Sequence, residues 1–154
     1  MDKCLTISYS ILIIESDFKH AQYIKIILEL ACNNIQVFIS KTLDTASELI
    51  KHTSIDIFII EPYLNSAKYN GIDFTDELLV KKSLTQVIFQ SHMEDFQYRA
   101  KLHKKFTHAP FILRSSLVYE QELKDNVRYA IDFLAMTANR QLVLDKKSNS
   151  FFLI

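Results

Sequence analysis

Two apolar runs of this chain end abruptly in acidic residues. Residues 10–14 (SILII) precede Glu15 and Asp17, and residues 55–60 (IDIFII) precede Glu61. Short runs rich in β-branched residues are typical of strands that are buried on both faces, as in parallel sheets. The carboxyl ends of parallel strands share one edge of the sheet, where open α/β folds bind their ligands. The pattern therefore predicts a site that contains these three acids, unless they serve only to end strands and cap the helices that follow.

Strand-like and helix-like segments alternate along the chain. Predicted strands cover 10–14, 35–39, 56–60, 86–89 and 111–113, and apolar residues at helical spacing cover about 18–31, 43–52, 72–79, 95–106 and 118–138. This alternation predicts an α/β domain over residues 1–138, in which helices cover both faces of a parallel sheet. In the remaining segment, 139–154, two apolar stretches flank the polar stretch 145–150. We expect this segment to form an extra C-terminal β-hairpin.

The composition argues against several classes of function. The 154 residues are 49% hydrophobic, which is enough for one globular domain with a substantial core. Lys and Arg number 18, as do Asp and Glu, so the net charge does not attract nucleic acid or an anionic membrane. The single glycine excludes a P-loop and a dinucleotide-binding fingerprint, and Cys4 and Cys32 have no metal-binding spacing. No apolar segment approaches the length of a membrane span, and we expect a cytoplasmic protein.

Polar residues follow four of the predicted strands in a distinctive order. They are Glu15-Ser16 after the first strand, Glu61 after the third, Ser91 after the fourth, and Arg114 after the fifth, with Phe111 three residues before it. This order resembles the receiver domain of two-component response regulators over roughly residues 8–138. In that family the corresponding positions hold an acidic pair, a phosphoacceptor Asp, a Ser or Thr, and a Lys with an aromatic switch residue before it. The resemblance implies a flavodoxin-like (βα)5 fold, a doubly wound parallel sheet with strand order 2-1-3-4-5.

Three of these positions depart from the family pattern, in which carboxylates hold a Mg²⁺ that assists phosphoryl transfer to the Asp. Ser16 replaces a carboxylate that would bind the metal, although Asp17 offers a partial substitute. Glu61 is one methylene longer than the phosphoacceptor, and a displacement of that size is enough to impair the reaction. Arg114 replaces Lys, and its planar guanidinium suits a carboxylate better than a small phosphoryl group. We therefore predict a pocket that uses no metal and no cofactor.

The departures are mutually consistent, because a longer acid and a bidentate cation can form a pair without a metal. We predict that Arg114 lies within hydrogen-bond distance of Glu61 or Glu15. The two switch-equivalent positions also have purely structural explanations. Ser91 fits a capping box at the start of the fourth helix, and Phe111 fits an ordinary core side chain. Either explanation is compatible with a role as a switch.

The resulting hypothesis is a pseudo-receiver that acts in signal transduction or transcription regulation through protein contacts. Such a domain is not an enzyme and does not depend on phosphorylation. The alternatives are a conventional phosphorylatable receiver and a divalent-metal-dependent hydrolase that uses Glu15, Asp17 and Glu61. Segment 139–154 also resembles the opening sheet of the winged-helix effector domain that follows some receivers, so the start of an effector domain is an alternative to an isolated hairpin. Because that segment contains no recognition helix, we expect this chain to make no direct contact with nucleic acid.

The predicted fourth and fifth helices carry opposite charge. In a two-fold dimer, the basic helix of each subunit can meet the acidic helix of the other. Receivers of the winged-helix subfamily dimerise through the fourth helix, fifth strand and fifth helix, and the resemblance implies a homodimer here. The charged residues of this predicted dimer face are Lys101, Lys104, Lys105, Glu120, Glu122 and Asp125.

Overall fold

The computed structural model describes residues 7–82 and 84–151, and the side chains of this part as far as Ala138. The strands are β1 (Tyr9–Ile14), β2 (Ile35–Ser40), β3 (Ile57–Ile60), β4 (Gln86–Ser91) and β5 (Phe111–Leu113). The helices are α1 (Phe18–Ala31), α2 (Leu43–Ile50), α3 (Gly71–Lys81), α4 (Phe96–Lys105) and α5 (Tyr119–Phe151). The predicted alternation of strands and helices is confirmed, with small shifts at most element ends.

The strands form one parallel sheet in the order β2-β1-β3-β4-β5, which confirms the predicted fold class. Successive side chains of a strand point to opposite faces of the sheet. Ile11 and Ile13 of β1 therefore pack with α1 and α5, whereas Leu12 and Ile14 pack with α2, α3 and α4. Because both faces are covered, the central strands are apolar at almost every position.

Polar side chains at the starts of four helices act as N-caps. Asp17 caps α1, Thr42 caps α2, Asn70 caps α3 and Asp95 caps α4. The proposed capping role of Ser91 at the fourth helix is therefore wrong. Ser91 is the last residue of β4, and its Oγ accepts the N–H of Met93 at 3.0 Å. Asp17, by contrast, does cap a helix, which was the alternative explanation for the acidic residues that follow the strands.

The loop after β3 passes close to the start of α3. Gly71 is the first residue of this helix, and a β-carbon built on it would lie 2.1 Å from the carbonyl oxygen of Pro62. The φ angle of Gly71 is negative, so this position needs glycine for close backbone approach rather than for a left-handed turn. The only glycine of the chain thus sets the path of the loop that follows Glu61.

The predicted C-terminal hairpin is wrong in the part of the chain that the structure describes. α5 continues as one helix from Tyr119 to Phe151, through the predicted first strand and the polar stretch after it. Residues 119–151 contain no glycine and no proline, so nothing in this stretch breaks the helix. The rest of the predicted second strand lies outside the described residues. Among the described residues, no helix is both long enough and apolar enough to cross a membrane.

Candidate functional site

Parallel pairing brings the predicted site residues to one edge of the sheet. The N–H of Glu61 donates to the carbonyl of Ile14, and the N–H of Arg114 donates to the carbonyl of Ser91. Glu15 and Glu61 therefore directly follow adjacent strands β1 and β3, as predicted. Arg114 follows β5 at the same edge.

Arg114 forms an ion pair with Glu15. The Nη2 of Arg114 lies 2.5 Å from the Oε2 of Glu15, and its Nη1 lies 3.8 Å from the Oδ2 of Asp17. The side chain of Glu15 is 2% exposed and that of Arg114 is 16% exposed. The predicted pairing of Arg114 is confirmed for Glu15, whereas no ion pair within the described residues joins Arg114 to Glu61.

Gln90 is a site residue that the sequence analysis missed. Its buried side chain donates from Nε2 to the Oε2 of Glu15 at 2.6 Å. Its Oε1 accepts from the Nε of Arg114 and from the hydroxyl of Tyr119, each at 3.2 Å. The amide thus orients both members of the ion pair. The available sequence signal was an amide that directly follows the apolar run Val87–Phe89, because a buried polar group needs partners.

The contacts of Gln90 extend to the helices on one face of the sheet. The hydroxyl of Tyr119, in α5, lies 2.9 Å from the Nε2 of His20, in α1. Burial raises the pKa of Tyr119. Burial, followed by the nearby charge of Arg114, lowers the pKa of His20. Both shifts favour a neutral pair, so hydrogen bonds between uncharged groups connect Gln90 to α1 and α5.

Glu61 is buried without a cation. Its residue exposure is 3%, and its Oε1 accepts the N–H of Tyr63 at 3.2 Å. Within the described residues its Oε2 has no hydrogen-bond partner, and the Nδ1 of the exposed His92 is 4.0 Å away. Burial raises the pKa of Glu61 from 4.5 to about 7. At neutral pH a large share of Glu61 therefore carries a proton.

The remaining predicted site residues differ in their surroundings. Ser16 and Asp17 are exposed, and Ser91 is fully buried. Phe111 is half-buried, packs against the core on the α4 side, and has the guanidinium of Arg99 4.9 Å from its ring centroid. Phe111 is thus partly a core side chain, as the simpler explanation predicted.

No family model matches this sequence, and no curated protein sequence matches it. Solved structures do match the fold. A response regulator receiver domain protein from Clostridium thermocellum is 22% identical, with a TM-score of 0.64 over 88% of this chain and 98% of that chain. The chain has the receiver fold. The signal receiver domain of an HD domain-containing protein from Pseudomonas fluorescens Pf-5 is 17% identical, with a TM-score of 0.70 over 81% of this chain and 95% of that chain. The structure of an adenylate cyclase from Rhodopirellula baltica is 11% identical, with a TM-score of 0.72 over 91% and 99% of the two chains.

The receiver fold implies a Mg²⁺ ion at the acidic edge, and the residues of this chain do not fit one. The Oε1 of Glu15 accepts the N–H of Asp17 at 3.0 Å, and its Oε2 contacts both Gln90 and Arg114. Both carboxylate oxygens of Glu15 therefore already have partners within the chain, which leaves neither oxygen free to bind a metal. The described residues contain no group of three His, Cys, Asp or Glu side chains arranged to hold a metal. Mg²⁺ prefers an octahedral set of oxygens, which this arrangement does not offer.

Proposed function

We propose that this chain is a receiver-like signalling domain that acts through protein contacts and does not depend on phosphorylation. The observation that carries the proposal is that Glu15 forms an ion pair with Arg114 and accepts a hydrogen bond from Gln90. In phosphoryl transfer, metal ions and free cations neutralise charge that develops on the transferred oxygens. Here the pocket cation already neutralises a carboxylate of the same chain, so it is not free for that task.

The state of Glu61 supports the same proposal. A carboxyl group attacks as a nucleophile only in its ionised form, and burial keeps much of Glu61 protonated near neutral pH. No ion pair within the described residues places a cation other than the exposed His92 beside it. The position equivalent to the phosphoacceptor is therefore only partly ionised near neutral pH, and no Lys or Arg of the described residues forms an ion pair with it.

The contacts of the pocket also hold the surrounding elements in one arrangement. Glu15 follows β1, Gln90 lies in β4, Arg114 follows β5, and Tyr119 and His20 connect them to α5 and α1. In our proposal, the surface that a partner recognises is set when the protein folds. Signalling would then be controlled by the amount or location of the protein and its partner.

Incubation with acetyl phosphate and millimolar Mg²⁺, followed by intact-mass spectrometry, tests this proposal. We expect the mass of the protein to remain unchanged, while a phosphorylatable receiver treated in parallel gains one phosphate. A stoichiometric phosphate adduct on Glu61 would refute the proposal and favour a conventional receiver. Sustained release of inorganic phosphate would instead favour the hydrolase.

We further propose that the domain forms a homodimer through α4, β5 and α5. Lys101 and Lys104 are exposed on α4, and no ion pair within the described residues uses them. On α5, Glu120 and Asp125 are exposed, while Glu122 is half-buried and accepts from the hydroxyl of Ser116. A two-fold axis would bring the basic helix of one subunit to the acidic helix of the other, which supports a self-complementary interface.

A further inference from the structure

The first turn of α4 has little apolar anchorage of its own. Leu102, in the second turn, is the one buried residue of this helix, whereas α1 buries four residues. Phe96, the first residue of α4, is 73% exposed. Packing of an apolar face is the main source of helix stability in a folded protein. Other contacts must therefore fix the place where α4 begins.

Tyr63 and Tyr98 supply such contacts, and we call this pair of residues the latch. Tyr63 lies in the loop after β3, two residues beyond Glu61, and Tyr98 lies in the first turn of α4. The centroids of the two rings are 4.7 Å apart. Aromatic pairs at this distance attract each other beyond the effect of the area that they bury. The two rings therefore join the loop to the helix.

Hydrogen bonds also cross the latch in both directions. The hydroxyl of Tyr98 donates to the carbonyl of Pro62 at 2.7 Å. The hydroxyl of Tyr63 accepts the N–H of Asp95 at 3.2 Å and donates to the carbonyl of Asp95 at 3.4 Å. Asp95 is the N-cap of α4, and its side chain accepts the N–H of Tyr98 at 3.1 Å. The latch thus holds both the cap and the first turn of α4.

The latch is connected to the acidic edge of the sheet through Tyr63. The N–H of Tyr63 donates to the Oε1 of Glu61 at 3.2 Å. Tyr63 therefore contacts Glu61 through its main chain and α4 through its side chain. A continuous series of contacts leads from the buried carboxyl group to the start of α4.

We propose that the latch sets the position of α4 and couples that position to Glu61. While the latch is closed, the first turn of α4 has one place against the loop after β3. When the latch opens, that turn frays and its main chain becomes accessible to water. This inference rests on the proposed function, because α4 belongs to the face through which we propose that the domain acts.

Hydrogen exchange in the ¹⁵N-labelled full chain tests the latch at two matched amides. The N–H of Arg99 donates to the carbonyl of the N-cap residue of α4, and the N–H of Ala21 makes the same bond in α1, each at 2.9 Å. The variant Tyr63→Phe/Tyr98→Phe removes both hydroxyls and keeps both rings. We expect the exchange rate at Arg99 to rise by about tenfold or more, and the rate at Ala21 to change by less than about twofold.

A third tyrosine provides the control. Tyr129→Phe removes a hydroxyl from an exposed position of α5, so it should leave the exchange rates of both amides unchanged. An unchanged rate at Arg99 in the double variant would overturn the latch. An equal rise at Arg99 and Ala21 would also overturn it, because the loss of the hydroxyls would then destabilise the whole fold rather than α4.

Two variants of Glu61 test the coupling at pH 6, where most of Glu61 carries a proton. Glu61→Leu removes the acceptor for the N–H of Tyr63, whereas Glu61→Gln keeps a carbonyl oxygen as acceptor. We expect the exchange rate at Arg99 to rise by about threefold or more in Glu61→Leu and to stay unchanged in Glu61→Gln. Combined with Tyr63→Phe/Tyr98→Phe, Glu61→Leu should cause no further increase.

Equal effects of the two Glu61 variants, or a further increase when Glu61→Leu is combined with the double variant, would contradict coupling through the latch. A phosphate adduct in the acetyl phosphate experiment would refute the proposed function and leave the exchange rates as they are. Failure of the latch and failure of the proposed function can therefore be told apart.

Discussion

At the scale of single residues, Glu61 illustrates how burial determines chemistry. A free carboxylate in this position would need a cation or several donors, and the one hydrogen bond that Glu61 accepts from the described residues comes from the N–H of Tyr63, with the exposed His92 4.0 Å away. Protonation is then less costly than burial of an unpaired charge. The same burial that raises the pKa of Glu61 should make the stability of the protein depend on pH.

We predict that the contribution of Glu61 to the free energy of unfolding decreases as the pH rises from about 4.5 to about 7. The pKa of Glu61 is higher in the folded state, so in this range the unfolded state loses its proton first. The full effect of this one group is about 3 kcal/mol, and it is complete above pH 7.

The variant Glu61→Gln isolates this contribution because every other titrating group is unchanged. Denaturant unfolding at a series of pH values should show the variant to be more stable than the wild type at pH 8, by about 1–3 kcal/mol. The difference should disappear toward pH 4. A constant difference at all pH values would show that Glu61 ionises in the folded state as it does in water.

Arg114→Ala should destabilise the protein strongly. The substitution leaves Glu15 buried with only the hydrogen bonds of Gln90 and the Asp17 N–H, and an uncompensated buried charge costs about 3 kcal/mol or more. Thermal unfolding should show a melting temperature that is lower by several degrees. Lys101→Ala removes an exposed cation and serves as the control, with an expected change within about 0.5 kcal/mol. Equal effects of the two variants would mean that the ion pair with Glu15 does not stabilise the fold.

At the scale of elements, the start of α3 depends on a close backbone contact. Gly71→Ala would normally favour a helix by about 1 kcal/mol. Here the added methyl group would collide with the carbonyl oxygen of Pro62, 2.1 Å away, which belongs to the backbone and cannot rotate aside as a side chain could. We predict a net loss of about 1–3 kcal/mol in the free energy of unfolding. Glu77→Ala, at an exposed position of the same helix, is the control, and an unchanged or higher melting temperature of Gly71→Ala would contradict the close packing.

The elements also show how much of this structure could be predicted from the sequence. The sequence located β5 and α2 almost to the residue, because β5 is a short apolar run and the buried residues of α2 recur at helical spacing. The failure at the C-terminus has a physical cause. A polar stretch without glycine or proline can be solvated as part of a helix as easily as in a turn, and the hairpin prediction assumed the turn.

The candidate site was predictable in position but not in its pairing. Parallel strands carry Glu15, Glu61 and Arg114 to one edge, and this follows from the order of the strands. Which carboxylate Arg114 contacts depends on Gln90, which orients the guanidinium toward Glu15. That choice is made by side-chain geometry across three strands, which no local sequence pattern encodes.

At the scale of the whole molecule, the proposed homodimer should depend on ionic strength. Charge pairs between α4 and α5 of different subunits would be exposed at the rim of the interface and therefore screened by salt. Sedimentation should show a dimer at low salt that weakens as salt is added. Lys104→Glu should weaken it further, whereas Lys19→Glu, on α1, should not. A monomer at all salt concentrations and at high protein concentration would contradict the proposal.

The measurement that tests the central claim most directly is phosphorylation of the variant Glu61→Asp. This variant restores the acid of the receiver family but leaves Glu15 engaged by Arg114 and Gln90. Intact mass would be recorded after treatment with acetyl phosphate and millimolar Mg²⁺. If the pocket is closed by its own contacts, the variant gains no phosphate. A stoichiometric phosphate adduct on the new aspartate would show that the pocket can still bind metal and phosphodonor, and would contradict a pocket that is closed by the contacts of Glu15 with Arg114 and Gln90.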